Sequence, residues 1–213
     1  MTLSTFNQPH SIAIRIWHWT FFVCIAATLV TVLLASTFFR TRNTVSMVQE
    51  QLQQKGVVVN QDQARAVAHE YNDKLWDIHR VIGYVLSALL LSRFLIELAQ
   101  PREEKLIPRL KIAMGQRPED PQAEGQRQHF VSVKTSYLIF YLLFLLMALT
   151  GLVLAFEDVA FLKGIHNLAK QVHSFLQYLV YAFILIHLIG VTRADLGRHQ
   201  GLVSGMIHGK KRA

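Results

Sequence analysis

The chain has 213 residues, of which 52% are hydrophobic and 17% charged, with a formal net charge of +8 at pH 7. A chain of this length would usually be one or two soluble domains, but the distribution of its apolar residues argues against that. One cysteine, Cys24, excludes an intrachain disulfide and a multi-cysteine metal site, and no basic run interleaved with aromatics points to a nucleic acid.

The first apolar stretch, Ile16 to Phe39, has no formal charge. It is long enough to cross roughly 30 Å of hydrocarbon, which takes about 20 helical residues. Leu34-Ala35-Ser36 resembles a leader cleavage region, but the apolar run exceeds the usual length of about 7–15 residues and its preceding segment is nearly uncharged. We expect the stretch to persist as a membrane helix.

Arg40 to Lys74 is long for a connection between bundle helices. Val45, Val48 and Leu52 share one helical face, and Ala64, Val67, Ala68, Tyr71 and Leu75 share another. Gly56 and Val57 to Val59 separate the two pieces, and Asn60 with Gln63 three residues on forms an N-terminal cap signature. Short amphipathic helices on the outer membrane surface are expected. They serve either to shield the end of the bundle or to dock an electron-transfer partner.

The second apolar stretch, Leu75 to Ala99, carries Asp77, Arg80, Arg93 and Glu97, and its uninterrupted core is Val81 to Ser92. Those charges need partners or interfacial positions. Gln100 to Val133 follows with Pro101, Pro108, Pro118 and Pro121 among mixed charges, which reads as an irregular, partly mobile connection. The third stretch, Thr135 to Phe156, and the fourth, Val172 to Thr192, are uncharged and joined by a short loop. The expected fold is an all-α integral membrane four-helix bundle. It forms one domain over residues 1–213, with helices near 14–39, 75–99, 134–157 and 170–193 and short amphipathic helices in the first loop.

Lysine and arginine set the orientation. If the N-terminus is inside, thirteen flank the inner ends of the helices, and seven lie in the outer loops: Arg40, Arg42, Lys55, Arg65, Lys74, Lys163 and Lys170. The positive-inside rule therefore puts both termini in the cytoplasm and the long first loop in the periplasm.

Four histidines fall inside these stretches: His18, His79, His173 and His187. An ionisable residue within a membrane helix is costly and by default marks function. His173 and His187 are fourteen residues apart, so they lie roughly 21 Å apart along the axis and within about 40° of one face. With the N-terminus inside, chain direction puts His18 and His187 at the cytoplasmic level, and His79 and His173 at the periplasmic level. Two bis-histidine haem sites follow, His18 with His187 and His79 with His173. With no C-x-x-C-H in the chain, the haems would be held noncovalently, as b haems. A lone histidine in an apolar helix can equally be a packing residue; pairing by level and face argues for ligation. His166, seven residues before His173, is an alternative ligand on a similar face. His10, His69, His129, His199 and His208 lie in polar flanks and read as solvated surface.

Arginines accompany each level. Arg15 precedes His18 by three residues, Arg93 follows His79 by fourteen, and Arg80 adjoins His79. Guanidinium pairs bidentately with carboxylate, so Arg15, Arg93 and Arg80 are candidates for holding haem propionates. The alternatives are interfacial anchoring for Arg15 and an i,i+4 ion pair with Glu97 for Arg93. Trp17, Trp19 and Trp76 suit the aromatic belts of a membrane helix.

The strings RIWHW at Arg15 to Trp19, WDIHRVIGY at Trp76 to Tyr84, and VHSFLQYLVYAFILIHLIGV with its two histidines resemble the bacterial cytochrome b-561 superfamily. That group includes the cytochrome b subunits of nickel–iron hydrogenases. The likeness runs from about Ser11 to Met206. The tail GLVSGMIHGKK is similar to that of members described only as cytochrome b domain proteins, and the long first loop departs from compact members. The resemblance implies a four-helix bundle with two b haems, an inner-membrane location and electron exchange with quinone. It carries ligand roles onto His18, His79, His173 and His187.

The expected function is an electron relay between a periplasmic or membrane-bound redox partner and the quinone pool, in contact with membrane lipid. Two axial histidines per haem argue against oxygen chemistry at iron. One alternative is a stand-alone quinone-linked oxidoreductase such as a superoxide oxidase, with Lys74, Arg80 or Lys170 attracting an anion. A rival from another class is a metal transporter using intramembrane histidines, which requires acidic neighbours; only Asp77 and Glu97 qualify.

Overall fold

A computed structural model describes residues 11–197 and 201–209. His10, Arg198, His199 and Lys210 to Arg212, which entered the histidine and charge readings, lie outside the described residues. The described residues form seven α-helices: α1 Ile12–Ser36, α2 Thr41–Gln54, α3 Gln61–Ala99, α4 Leu106–Gly115, α5 Pro121–Ala155, α6 His166–Leu196 and α7 Leu202–His208. A 3-10 turn, Ala160–Ile165, precedes α6. No strand occurs among the described residues.

Four helical segments are long and apolar enough to cross a membrane: Ile12–Ser36, Gln61–Ala99, Pro121–Ala155 and Ala160–Leu196. Their outward residues are large and apolar, among them Val23 and Leu33 on α1, Leu91 and Leu95 on α3, Leu142 on α5, and Ile186 on α6, which is 69% exposed. Apolar surface on this scale belongs against lipid rather than water. The protein is an all-α, multi-pass membrane protein.

The chain divides into two compact units, Thr20–Leu86 and Met1–Trp19 with Ser87–Ala213. In the first, Gly56 has a φ of 77°, a left-handed conformation that suits glycine, and the chain turns there after α2. Asn60 and Gln63 then exchange backbone-to-side-chain hydrogen bonds of 2.9 and 2.8 Å, the reciprocal capping box that their spacing predicts. The helix so started does not stop at the membrane surface. The amphipathic segment expected as a separate surface helix runs without a break into the second span, as α3. No proline lies between residues 61 and 99, and one protected stripe passes from Ala64 and Ala68, through Asn72 and Leu75, to His79. Val67 and Tyr71, expected on that face, are 41% and 54% exposed. The Asn72 amide donates to the Phe39 carbonyl at 3.1 Å, tying the turn after α1 to α3. Thr44 is the buried residue of α2.

In the second unit, the segment expected as an irregular loop is mostly helical. Pro108 sits in the first turn of α4 and Pro121 at the start of α5, positions where a missing N–H costs nothing. Asp120 caps α5 by accepting from the N–H groups of Gln122 and Ala123. Arg127 closes on Glu124 with hydrogen bonds of 2.7 and 2.6 Å and donates to the Ala113 carbonyl, fixing α4 against α5. α5 and α6 form the most extensive helix pair. Leu143 and Phe144 of α5 and Leu176 and Val180 of α6 are buried, and the Phe140 ring packs in tilted contacts against Phe144 and Phe183 at 4.6 and 5.6 Å.

Candidate functional site

His18, near the start of α1, and His187, near the end of α6, come together in one unit. Their ring centroids are 6.4 Å apart, with planes inclined by 50°. A metal–imidazole bond is about 2.0 Å, so two imidazoles that held one metal between them would have ring centres about 6 Å apart. The 6.4 Å separation of these two rings matches that requirement. Trp19 flanks His18 edge-on at 5.5 Å, and Phe183 stacks on His187 at 6.2 Å with planes 7° apart. These contacts limit how far either ring can turn.

The arginines at this end are held by local partners. Arg15 donates to the Ile207 carbonyl at 3.4 Å, and the Trp19 indole donates to the Met206 carbonyl at 3.1 Å, so both clasp α7. The Trp17 indole donates to the Leu89 carbonyl at 3.0 Å, which places it between helices as well as in an aromatic belt. Arg93 pairs with Glu97 at 3.2 Å, the i,i+4 contact weighed as its alternative role, and lies over the Tyr141 ring at 5.8 Å. The other Glu97 oxygen accepts from the Leu106 N–H at the start of α4. Arg15 Nε and Arg93 Nη1 are nonetheless buried with no hydrogen-bond partner among the described residues. An orphaned buried guanidinium N–H is expensive unless a further acceptor meets it.

His79 and His173 belong to different units, and each has a threonine at its Nδ1. Thr31 Oγ1 of α1 lies 3.0 Å from His79 Nδ1. Thr150 Oγ1 of α5 lies 3.0 Å from His173 Nδ1. His173 also packs on Gly151, where a Cβ would stand 3.3 Å from its Cε1. Trp76 meets His79 edge-on at 5.5 Å and donates its indole N–H to Asn72. Arg80 is about half exposed and pairs with Asp77 at 3.3 Å. His166 faces Glu157 at 3.7 Å.

Spacing arguments did not reach Thr31, Thr150 or Gly151. The available signal was a hydroxyl inside an uncharged stretch. Thr31 lies thirteen residues beyond His18, so it falls roughly 20 Å further along α1, near the other histidine level. A threonine that bonds its own helix backbone is so common in apolar helices that the signal cannot be separated from background.

Fold and site together define a multi-pass α-helical membrane protein in which His18 and His187 are brought together from separate helices. The sequence model of the family described as prokaryotic cytochrome b561 matches residues 9–209, and the chain belongs to that family. Membership makes it a membrane haem-b electron-transfer protein. No curated protein and no solved structure matches the chain.

Proposed function

We propose that residues 1–213 act as one transmembrane di-haem cytochrome b that carries electrons across the bacterial inner membrane, with both termini in the cytoplasm. His18 and His187 hold the cytoplasmic haem; His79 and His173 hold the periplasmic one. Haem held by these histidines would supply a one-electron ferric–ferrous couple. Arg15 and Arg93 meet the propionates at the cytoplasmic level, and Arg80 does so at the periplasmic level. Quinone exchanges electrons near the cytoplasmic haem, and a periplasmic or membrane-bound redox protein does so at the other end.

The observation that carries this reading is the 6.4 Å separation of the His18 and His187 rings, brought together from the two ends of the chain. The buried nitrogens of Arg15 and Arg93, which have no partner among the described residues, support a carboxylate ligand beside it. For the second level the support is chain direction and the rise of α6, which sets His173 roughly 21 Å from His187.

The stand-alone oxidase gains no support from its proposed anion-attracting group. Lys74 is paired with Glu70 at 3.3 Å and Arg80 with Asp77, which offsets two of its three cations. The transporter reading fares worse, because Asp77 and Glu97, the acids it needs, are engaged by Arg80 and Arg93.

Pyridine haemochrome analysis of the purified chain tests the proposal. Two noncovalent b haems per chain are expected, with low-spin spectra. One haem or none would overturn it.

A further inference from the structure

Thr31 and Thr150 stand in the same relation to a histidine, although they come from different helices. The Thr31 hydroxyl bonds the Thr28 carbonyl of its own helix at 2.7 Å and lies 3.0 Å from His79 Nδ1. The Thr150 hydroxyl bonds the Leu146 carbonyl at 2.7 Å, with the Met147 carbonyl at 3.1 Å, and lies 3.0 Å from His173 Nδ1. A hydroxyl has one hydrogen to donate and two lone pairs that accept. A carbonyl oxygen only accepts, so in each case the hydrogen is committed to the helix backbone. Towards the imidazole the same oxygen can then act only as an acceptor, and Nδ1 must carry the proton.

A neutral imidazole with Nδ1 protonated has its lone pair on Nε2. A metal-bound histidine usually donates its second ring N–H to a fixed acceptor, which sets tautomer and orientation and raises ligand basicity. We infer that Thr31 and Thr150 are positioning residues that hold His79 and His173 as Nδ1–H tautomers, present Nε2 to haem iron, and set the potential of that haem. This rests on the haem assignment proposed above. Each threonine sits one helical turn from the carbonyl it binds, so its hydroxyl cannot swing away without losing that bond. In an apolar helix, where no water replaces a lost partner, this keeps the acceptor in place.

The physical consequence has a sign. A donated Nδ1–H bond makes the imidazole a stronger electron donor and favours ferric iron. Removing the acceptor therefore raises the midpoint potential. Outer partners of metal ligands are worth about 10–100-fold in affinity or activity. A tenfold shift in a one-electron equilibrium is 59 mV.

The test uses the full-length, haem-loaded protein with Thr31→Val, Thr150→Val, Thr31→Ser and Thr150→Ser, measuring haem content and redox titrations. Wild type and all four variants should hold two haems. Both valine variants should raise the potential of one and the same haem, by about tenfold in its equilibrium for Thr150→Val. Both serine variants, which keep the hydroxyl, should titrate like wild type. Haem lost in a valine variant and kept in its serine counterpart also supports the assignment. Unchanged potentials with full haem content overturn it, as does equal damage from serine and valine. Shifts in two different haems overturn the shared site. Wild-type protein without two haems would sink the haem assignment itself, and this inference with it; two haems with unmoved potentials would sink only the inference.

Discussion

His18 and His187 lie 169 residues apart in sequence, and their rings approach to 6.4 Å. The contact joins the start of α1 to the end of α6, and the α7 carbonyls of Met206 and Ile207 receive Trp19 and Arg15 beside it. Closing so long a chain for one contact costs conformational entropy that two histidine rings cannot repay alone. The surrounding helix packing, or a ligand seated between the rings, must do so.

Ligand pairing follows directly. His18→Ala and His187→Ala should each abolish the same haem and leave the other's spectrum and potential in place. His79→Ala and His173→Ala should remove the second haem, on the chain-direction argument. Optical spectra and redox titrations of the four variants check this. Should His18 and His173 behave as one pair, the level assignment is wrong; full haem retention in His173→Ala with loss in a His166 variant moves that ligand to His166.

Gly151 gives a steric test. A Cβ there would lie 3.3 Å from His173 Cε1, so alanine forces a small ring displacement and leucine a large one. Overpacking of this kind costs about 1–3 kcal/mol. Gly151→Leu should lose the haem held by His173, whereas Gly151→Ala should keep it with an altered potential. Gly125→Ala, also in α5 but with nothing within 4 Å of its added carbon, should be neutral or slightly stabilising. Haem content and thermal unfolding would report both. Normal haem binding in Gly151→Leu would show that the ring does not need to lie against α5.

The four spans and their histidines were legible because length without charge and an ionisable group within it are both properties of the string. The capping box at Asn60 and Gln63 was legible for the same reason. What escaped was relational. α3 runs from Gln61 to Ala99 as one helix, but the charges from Glu70 to Arg80 look like a surface boundary until Glu70–Lys74 and Asp77–Arg80 are seen to pair along the helix. Pro108 and Pro121 looked like loop residues because a proline at a helix start reads, in sequence, much like a proline that prevents one. Thr31 and Thr150 could not be picked out because their partners lie on other helices, and spacing along one helix does not say which neighbour it faces.

Arg93 and Glu97 should move the cytoplasmic haem in opposite directions. A cation disfavours the more positive ferric state and an anion favours it. Arg93→Gln should therefore lower the midpoint potential, and Glu97→Gln should raise it. A unit charge at about 10 Å and an effective dielectric constant of about 20 contributes roughly 1–2 kcal/mol, which is tens of millivolts. Redox titration of both variants is the check. Potentials that ignore both substitutions would confine Arg93 to its pairing with Glu97 and Tyr141.

Orientation can be read from outside the cell. In a Cys24→Ser background, single cysteines near Arg117 should resist an impermeant thiol reagent applied to intact spheroplasts, and those near Asn60 should react. The basis is the thirteen-to-seven excess of lysine and arginine on the inner flanks. The reverse pattern would exchange the two haem levels without altering which histidines pair.

The end at which quinone is proposed to react can be tested separately from pairing. The proposal puts Arg15 and Arg93 at the level of His18 and His187, and the long segment from Arg40 to Lys74 at the other level. Quinol should therefore reduce the cytoplasmic haem first, with the periplasmic haem following through the protein. In His187→Ala, which lacks the first haem, stopped-flow reduction of the remaining haem by a quinol analogue in liposomes should be at least about tenfold slower, equivalent to about 1.4 kcal/mol or more on the barrier. In His79→Ala the first phase should persist at its normal rate and the second should vanish. Fast direct reduction of the periplasmic haem in His187→Ala would put quinone at the opposite end. If quinols reduce neither haem and quinones reoxidise neither, the electrons come from and go to protein partners alone, and the four histidines serve a relay with no quinone site.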